Sequence, residues 1–349
     1  MRTGGRVAHP LASEGSSLIT GMEGEMSAKP AGISLMRQTM DRQAQALARI
    51  MDDEASVMAV AERLRGRRVL AIGTGTSWHA ASQAAALLRV AGIDASAAQS
   101  ADAAVDGPVP GEDGALLAFS HTGAKRYTAQ AARRARSRGA EVIQVSGVGV
   151  GGADLVTVER ERSSAYTASH LGALLRAAQL ARALGADLPG LGEIPSAVDR
   201  AHRVEGEDRQ LAPPPVRLME FIGGGINQWT AAEGALKIRE AAYVASEGLG
   251  VEQFLHGPSV AVGRQDRLVA LDGGGTWSAR VAEVAQAAEG SGVPVTRVVH
   301  DGLGELLSIF PLTAAVQRIA LEAAETLGVN PDSFGLDLPE RQAWGRIEL

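Results

Sequence analysis

The stretch VLAIGTGTSWHA, residues 69–80, has a counterpart 150 residues further on, MEFIGGGINQWT, residues 219–230. Each is a short apolar run, then Gly-x-Gly, then a long helical pattern. Gly73 and Gly75 of the first stretch align with Gly223 and Gly225 of the second. The pattern is typical of a strand that feeds a helix through a turn requiring glycine. A repeat of this length predicts two similar α/β domains in tandem.

The rest of the chain fits parallel sheets flanked by helices. Buried parallel strands are predicted at residues 114–120, 140–146, 266–272 and 293–299. Helices are predicted at about 76–90, 124–138, 164–185, 228–247, 276–290 and 311–327. We therefore expect an α/β fold built from two such domains, preceded by an N-terminal helical arm.

The expected domain organisation has four parts: a flexible tail at 1–21, the helical arm at 22–60, a first domain at 61–205 and a second at 215–349. The Pro-rich stretch LAPPPVR, residues 211–217, is predicted to link the two domains. We expect the arm to pack on the domains or on a partner subunit, through one apolar face that holds Ile33, Met36, Met40, Ala44, Leu47 and Met51.

Composition excludes several classes of protein. The chain has 349 residues and a formal net charge of −6, which argues against a nucleic-acid binder. The sequence contains no run of 18 or more apolar residues, so it predicts no membrane-spanning helix. The absence of cysteine excludes disulfides, thiolate metal sites and cysteine nucleophiles, and makes the cytoplasm the default location. Lysine is scarce, at positions 29, 125 and 237 only, so each lysine is a candidate for a specific role.

The first Gly-x-Gly turn allows three interpretations. A strand, a glycine turn and a helix start can bind phosphate through backbone N–H groups and the helix dipole. A dinucleotide site is disfavoured because Trp78 occupies the position of the third glycine, although Asp94 lies where a ribose-binding acid would be. The third interpretation is a tight turn with no ligand.

A second candidate is the stretch AFSHTGAKRYT, residues 118–128. A buried strand ends there in Ser120, His121, Thr122 and Gly123, at an edge where α/β sheets bind ligands. Lys125 would be unfavourable in the first turn of the next helix unless an anion is bound. The alternative is that Ser120 or Thr122 caps that helix while Lys125 lies in solvent.

The third candidate is EGALKIRE, residues 233–240, which places Glu233, Lys237 and Glu240, together with position 247, on one helical face. On most surface helices such charges form a small solvated pair. Because this helix starts at a Gly-x-Gly turn, however, its first turns border the cleft, and the set can serve acid/base chemistry. His256, followed by Gly-Pro, is predicted to be a loop residue with a function.

These residues carry a resemblance to a known family. The segment EGALKIREAAYVASEGLGVEQFLHGP, residues 233–258, resembles the signature of sugar isomerase (SIS) domains. It is most similar to the isomerase half of glutamine–fructose-6-phosphate aminotransferase and to amino-sugar-phosphate deaminases and isomerases. The likeness extends from about residue 22 to the end, as two SIS domains. The stretches GTGTSWHA, SHTG and ERSSAYTASH (161–170) match the family more loosely.

The resemblance implies a role for each candidate. Glu240 would move a proton between C1 and C2 of an open-chain sugar, with support from Glu233 and Lys237. His256 would help open the ring, within the site of the neighbouring subunit of a homodimer. It also implies a phosphosugar ligand and no metal or other cofactor. The implied substrate- and phosphate-binding residues are Gly75, Thr76, Ser77, Ser120, His121, Thr122, Gly123, Lys125 and Ser164.

The chain departs from the family in two places. The phosphate loop of the family usually reads Ser-x-Ser-Gly-Glu-Thr, whereas residues 120–125 read Ser-His-Thr-Gly-Ala-Lys. The aminotransferase has a sugar-contacting lysine near its C-terminus, where this chain has Trp344. With no cysteine and no glutaminase domain, the chain is not expected to release ammonia from glutamine.

The function expected first is deamination of a substrate like glucosamine 6-phosphate, or aldose–ketose isomerisation of a related sugar phosphate. One alternative is a deglycase that cleaves a fructosamine phosphate, which a roomier pocket would favour. The other is a non-catalytic sugar-phosphate sensor. A sensor needs neither Glu240 nor His256, so the presence of both favours catalysis.

Overall fold

The computed structural model of the protein describes residues 32–203, 211–336 and 338–347. The predicted flexible tail, 1–21, and the start of the predicted arm, 22–31, lie outside the described residues.

The predicted arm contains three helices, α1 (Leu35–Met40), α2 (Gln43–Met51) and α3 (Glu54–Leu64). Met36 and Met40 are buried in the core of the second sheet, whereas Leu47 is buried in the core of the first. The arm therefore packs on both domains of its own chain. The prediction was wrong for Ile33, which precedes α1 and is exposed.

The first sheet is entirely parallel and has the strand order β2-β1-β3-β4-β5. Its strands are β1 (Arg68–Gly73), β2 (Ala95–Gln99), β3 (Gly114–Phe119), β4 (Glu141–Ser146) and β5 (Leu155–Val156). The helices of this half are α4 (Thr76–Val90), α5 (Ser100–Val105), α6 (Arg126–Arg136), α7 (Ala168–Ala183) and α8 (Ile194–His202). Every residue of β3 is buried, as expected for a strand covered on both faces.

The second sheet repeats this arrangement with the order β7-β6-β8-β9, again parallel throughout. Its strands are β6 (Met219–Gly223), β7 (Ser246–Gly250), β8 (Arg267–Asp272) and β9 (Val295–Val299). Its helices are α9 (Gln228–Ala242), α10 (Val251–Leu255), α11 (Ser278–Gly290), α12 (Gly304–Leu307) and α13 (Ile309–Leu327). The predicted fold class, two parallel α/β units in tandem behind a helical arm, is confirmed.

One predicted helix was too long. The pattern predicted a helix over 228–247, but α9 ends at Ala242, where Tyr243 adopts a left-handed conformation with φ 59°. The chain then forms β7, which pairs with β6. A Cβ at Gly248 would lie 2.2 Å from the carbonyl oxygen of Ala231, so glycine allows β7 to lie against α9. Position 247 therefore does not share the helical face of Glu233 and Glu240.

Helices α9 and α13 lie close together in the second core. Gly234 permits this approach, because a Cβ there would lie 2.8 Å from Phe221 and 3.1 Å from Val316. The segment Gly304–Leu327 is long and apolar enough to cross a membrane, but 83% of its most apolar window is buried inside the protein. This segment, which contains α12 and α13, is therefore part of the protein core.

Candidate active site between the two domains

The site is formed where the first helix of each repeat meets the other. Helices α4 and α9 both follow a Gly-x-Gly turn, and they pack against each other. The rings of Trp78 and Trp229 meet edge to face with centroids 5.3 Å apart. Gln83 Nε2 donates to Thr230 Oγ1 at 3.0 Å, in a buried hydrogen bond. This packing brings the first turn of α4 beside the charged face of α9.

Glu233 lies at the centre of this contact, with none of its surface exposed. Its carboxylate accepts hydrogen bonds from Thr76 Oγ1 at 2.9 and 3.1 Å and lies 2.7 Å from His79 Nδ1. Burial alone would raise the pKa of Glu233, but Lys237, His170 and His79 together hold that pKa well below its ordinary value. Glu233 is therefore a permanent anion.

Lys237 lies between two carboxylates. Its side chain is 1% exposed, and Nζ is 3.5 Å from Glu233 Oε1 and hydrogen-bonded to Glu240 Oε2. Burial would lower the pKa of Lys237, but Glu240 and Glu233 outweigh this effect and raise the pKa to about 12. Glu233, Lys237 and Glu240 are called the buried row below.

Glu240 forms the outer end of the buried row, and its side chain is 20% exposed. Burial raises the pKa of Glu240, and the neighbouring charge of Glu233 raises it further, although Lys237 opposes both. A carboxylate whose pKa is raised by its surroundings is a candidate general base. Of the three charged groups, only the outer carboxylate is exposed enough to contact a ligand.

Two histidines beside the buried row were not among the predicted site residues. His79 binds Glu233 directly, as given above. His170, on α7, is fully buried, and in the part of the chain that the structure describes neither of its ring nitrogens has a hydrogen-bond partner. Burial lowers the pKa of His170 to about 4, so this imidazole is neutral at pH 7. Both lie in stretches that match the family loosely, GTGTSWHA and ERSSAYTASH. Neither stretch shows that its histidine lies near Glu233, because that depends on how the helices pack.

The loop after β3 was predicted to bind phosphate. Gly123 there has φ 67°, and among the described residues the buried hydroxyl of Ser120 and the buried Nδ1 of His121 have no hydrogen-bond partner. His121 Nε2 accepts a hydrogen bond from the backbone N–H of Glu161 at 3.4 Å. Burial lowers the pKa of His121, so the ring stays neutral at pH 7. The loop thus contains two buried polar atoms without a protein partner among the described residues, at the carboxyl end of the sheet.

The proposed capping roles in this loop are wrong. Helix α6 begins at Arg126 and its N-cap residue is Lys125, with no side-chain cap. Thr122 Oγ1 instead accepts from the backbone N–H of Ala124 at 3.4 Å. Neither Ser120 nor Thr122 caps the helix, so both hydroxyls lie in the loop.

Tyr166 connects the loop to the buried row. Its ring packs edge to face against His121, with centroids 5.4 Å apart. Burial raises the pKa of the Tyr166 phenol, and the charges of Lys237 and Glu240 also act on it. Tyr166 is therefore in contact with the phosphate-loop candidate of the first domain and near the acid/base candidate of the second.

The remaining predicted binding residues border the same region. Gly75 has φ 57°, and a Cβ there would meet only Leu236 Cδ2, at 3.9 Å, so the space in front of this turn is open. Ser77 is half-buried in the first turn of α4. Ser164, also half-buried, donates its backbone N–H to the carbonyl of Asp332 at 3.0 Å. The C-terminal segment thus lies against the segment that leads into α7.

His256 lies outside this cluster. It follows α10 directly, its side chain is 78% exposed, and its Nε2 lies 3.9 Å from Glu252. In the described part of the chain it has no hydrogen bond with the buried row. Within residues 32–203, 211–336 and 338–347, no group of three or more histidine and carboxylate side chains is arranged to hold a metal ion.

Known proteins share this architecture. The chain is 26% identical over 303 residues to a glutamine–fructose-6-phosphate aminotransferase from Pyrococcus horikoshii, a match that covers 76% of this chain and 50% of that protein. A glucosamine-6-phosphate deaminase from Thermotoga maritima aligns with a TM-score of 0.72 and 22% identity, over 86% of this chain and 97% of that one. The C-terminal domain of the glucosamine-fructose-6-phosphate aminotransferase from Francisella tularensis aligns with a TM-score of 0.74 and 16% identity, over 88% of this chain and 100% of that one. No family model matches the chain.

These matches confirm the resemblance to double-SIS proteins that the sequence predicted. The chain spans about half the length of the curated relatives it matches. The structural matches, all under 25% identical, establish the shared fold.

Proposed function

We propose that the protein, with its double-SIS fold, is a phosphosugar enzyme that moves a proton between C1 and C2 of an open-chain sugar phosphate. The preferred substrate class is a 2-amino sugar phosphate like glucosamine 6-phosphate, which would be deaminated. The aldose–ketose isomerisation of a related sugar phosphate uses the same first step. The observation that carries this proposal is the buried row, whose open end is a carboxylate of raised pKa. Tyr166, whose phenol is influenced by Lys237 and Glu240, packs against His121 of the β3–α6 loop.

The proposed chemistry follows from the charges of the row. Glu240 takes the proton from C2 of the open-chain aldose, which leaves an enediol or, from a 2-amino sugar, an enolamine. Return of that proton to C1 gives the ketose or the ketimine. Water then adds to the ketimine carbon and ammonia leaves. Lys237, which is buried, holds Glu240 in place through their ion pair, while Glu233 keeps Lys237 protonated.

The first domain would hold the phosphate. Ser120 and Thr122 supply hydroxyl groups, Gly75 and Gly123 supply backbone that a ligand can approach closely, and Lys125 supplies a positive charge. Two residues at the family's phosphate-loop positions are replaced here, by Ala124 and Lys125, so charge takes the place of a hydroxyl in our proposal. Thr76 is already engaged by Glu233, which gives it a supporting role.

His256 is proposed to act in the neighbouring subunit of a homodimer. The exposure of its side chain supports that role, as does the fact that, in the described part of the chain, it has no hydrogen bond with the buried row. Mixing inactive Glu240→Gln and inactive His256→Asn subunits tests this directly. If sites are shared, random reassortment of equal amounts makes about half of the dimers mixed, and each mixed dimer has one of its two sites intact. About a quarter of the wild-type activity should then return. If each chain supplies its whole site, activity does not return.

The decisive experiment is a panel of hexose and hexosamine 6-phosphates, assayed for ammonia release and for aldose–ketose exchange. Turnover that is lost in Glu240→Gln supports the proposal. Turnover only of a fructosamine phosphate that carries an amino acid would assign a deglycase instead. Saturable binding without turnover of any substrate would assign a sensor. We expect the enzyme in the cytoplasm, which fractionation of the source cells tests.

A further inference from the structure

A cavity lies apart from the buried row. It has a volume of about 670 Å³ and lies between α1 and α2 of the arm and the segment 156–162, which begins at the end of β5. None of the residues in the buried row lines it. Its walls come from the arm on one side and from the first domain on the other.

The cavity is rich in arginine. Arg42 and Arg49 lie seven residues apart on the α2 side, and Arg160 and Arg162 lie on the opposite wall. All four are exposed, and none forms an ion pair or a side-chain hydrogen bond within the described residues. In a chain of net charge −6, four unpaired guanidinium groups around one cavity are an unusual concentration of positive charge. We call this cavity the arginine pocket.

The carboxylates of the pocket do not neutralise these arginines. Asp53 is bound by Arg176 Nη2 at 2.8 Å. Glu161 is buried and accepts backbone N–H groups at the start of α7, from Thr167 at 2.9 Å and Ser169 at 2.7 Å. Among the carboxylates that line the pocket, this leaves the exposed side chain of Glu159 to balance the charge of four arginines. The pocket therefore has a surplus of positive charge that is open to a ligand.

The shape of the pocket is fixed by a buried residue. Arg176 on α7 donates from Nε to the Val156 carbonyl at 2.7 Å and from Nη2 to Asp53. It thus ties the first-domain wall to the arm wall. The backbone segments that carry the two pairs of arginines are therefore joined before any ligand arrives, which lowers the ordering cost of binding.

The walls between the arginines are partly apolar, with contributions from Leu35, Ile50, Val148 and Val158. A cavity of several hundred Å³ with apolar walls and a few charged groups is typical of a small-molecule site. Guanidinium groups bind phosphate oxygens through paired N–H donors. We propose that the arginine pocket binds a phosphorylated small molecule that has a planar or apolar body, separately from the sugar-phosphate site.

The pocket also touches the candidate active site. Arg160 and Glu161 line the pocket, and the backbone N–H of Glu161 donates to His121 of the β3–α6 loop at 3.4 Å. The charge of Arg160 acts on the Tyr166 phenol. A ligand that moves the segment 159–162 therefore alters the loop beside it, and occupancy of the pocket is expected to change the affinity for sugar phosphate.

Isothermal titration with ADP, a diphosphate with a planar body, tests the proposal, and inorganic pyrophosphate serves as the probe without that body. We expect saturable ADP binding that weakens at least tenfold in Arg42→Gln/Arg49→Gln. The control, Arg136→Gln/Arg138→Gln, removes the same charge from exposed positions elsewhere and should change the affinity less than twofold. Pyrophosphate should bind more weakly than ADP.

Three results would overturn the proposal. The first is no saturable binding of either probe to the wild-type protein. The second is binding that survives in Arg42→Gln/Arg49→Gln but disappears in Ser120→Ala/Thr122→Ala, which would place the anion in the β3–α6 loop. The third is an unchanged ADP affinity in Arg42→Gln/Arg49→Gln together with dissociation of an oligomer in sedimentation, which would assign the arginines to a subunit contact.

Discussion

The two Gly-x-Gly turns share a backbone course but differ in what stands in front of them. At Gly75, a Cβ would meet only one leucine methyl, at 3.9 Å. At Gly225, a Cβ would lie 2.8 Å from Glu305 Oε1 and 2.8 Å from Trp277 Nε1. The first turn is open and the second is filled by the chain itself.

The loops that follow β3 and β8 differ in the same way. In the first repeat, the loop leaves Ser120 Oγ and His121 Nδ1 without partners. In the second repeat, Glu305 accepts the backbone N–H of Thr276 at 3.0 Å and lies against Gly275. A carboxylate of the chain thus takes the place that an external anion could take in the first repeat. In our proposal the two repeats therefore have different tasks: the first binds the anion at its open turn, and the second supplies the charged face of α9.

The largest effect on activity should come from a change in the charged face of α9, which supplies the proposed base. Glu240→Gln removes the proposed base while it keeps the shape, so kcat should fall by about 10²–10⁴. Ser120→Ala, in the binding half, should raise KM by roughly tenfold, since a hydrogen bond to a charged group is lost, and should leave kcat nearly unchanged. Steady-state kinetics on the best substrate of the panel measures both.

Binding of a sugar phosphate to Glu240→Gln, followed by calorimetry, is the control for correct folding. Full turnover in Glu240→Gln, or a loss of kcat rather than a rise of KM in Ser120→Ala, would contradict the division of work between the repeats.

The two described lysines should respond very differently to removal. Lys237→Met leaves two carboxylates of the buried row without their cation, which typically costs about 3–5 kcal/mol of unfolding free energy. Lys125→Met, at a half-exposed position without an ion pair, should cost less than about 0.5 kcal/mol. Urea unfolding without ligand measures both values. Equal, small effects would show that the row is solvated and not a buried charge network.

A third contrast concerns position 70 of the first repeat and position 220 of the second, which are 150 residues apart. Leu70 on β1 is replaced on β6 by Glu220, which is buried, has one oxygen without a partner and lies opposite Glu247. Burial, then Glu247 and Asp266, raises the pKa of Glu220 from 4.5 to about 8.

The folded protein therefore binds more protons than the unfolded chain between about pH 4.5 and pH 8. The stabilising contribution of protonated Glu220 is complete below this window and is lost as the pH rises through it, at up to about 1.4 kcal/mol per pH unit. Glu220→Leu, which installs the residue of the first repeat, should abolish that slope in denaturant unfolding from pH 5.5 to 7.5. Glu247→Gln should only move the window to lower pH. An unchanged slope in Glu220→Leu would assign the pH dependence to other groups.

The sequence predicted features that depend on local pattern. Helix α4 was predicted at its observed bounds, because the glycine turn marks its start and small apolar residues mark its length. Met36 and Leu47 were correctly placed in the core by helical periodicity. The strand β7 was missed, since SEGLG has no apolar alternation and is a strand only because it pairs with β6.

The site was predictable in its charged face but not in its surroundings. The spacing of Glu233, Lys237 and Glu240 gave their common face. That Thr76, His79 and His170 surround Glu233 depends on how α4, α7 and α9 pack, which no short stretch encodes. Likewise, Glu305 lies 80 residues after Gly225 in the sequence, so the residues near the second turn do not predict that the Glu305 side chain occupies the space in front of it.

The smallest expected effect tests whether the filled turn is a true counterpart of the open one. Glu305→Ala removes the hydrogen bond to Thr276 and should cost about 1 kcal/mol. It also leaves the turn without its internal anion, so inorganic phosphate should now stabilise the second repeat through the same backbone N–H groups. The measurement is the rise in unfolding temperature with phosphate concentration, made on a Ser120→Ala background that weakens the site of the first repeat. A larger rise in the double variant than in Ser120→Ala alone would show that both turns can hold an anion and that Glu305 is what separates them. Equal rises would mean that the likeness of the two turns is confined to their backbone, and that the open cradle belongs to the first repeat alone.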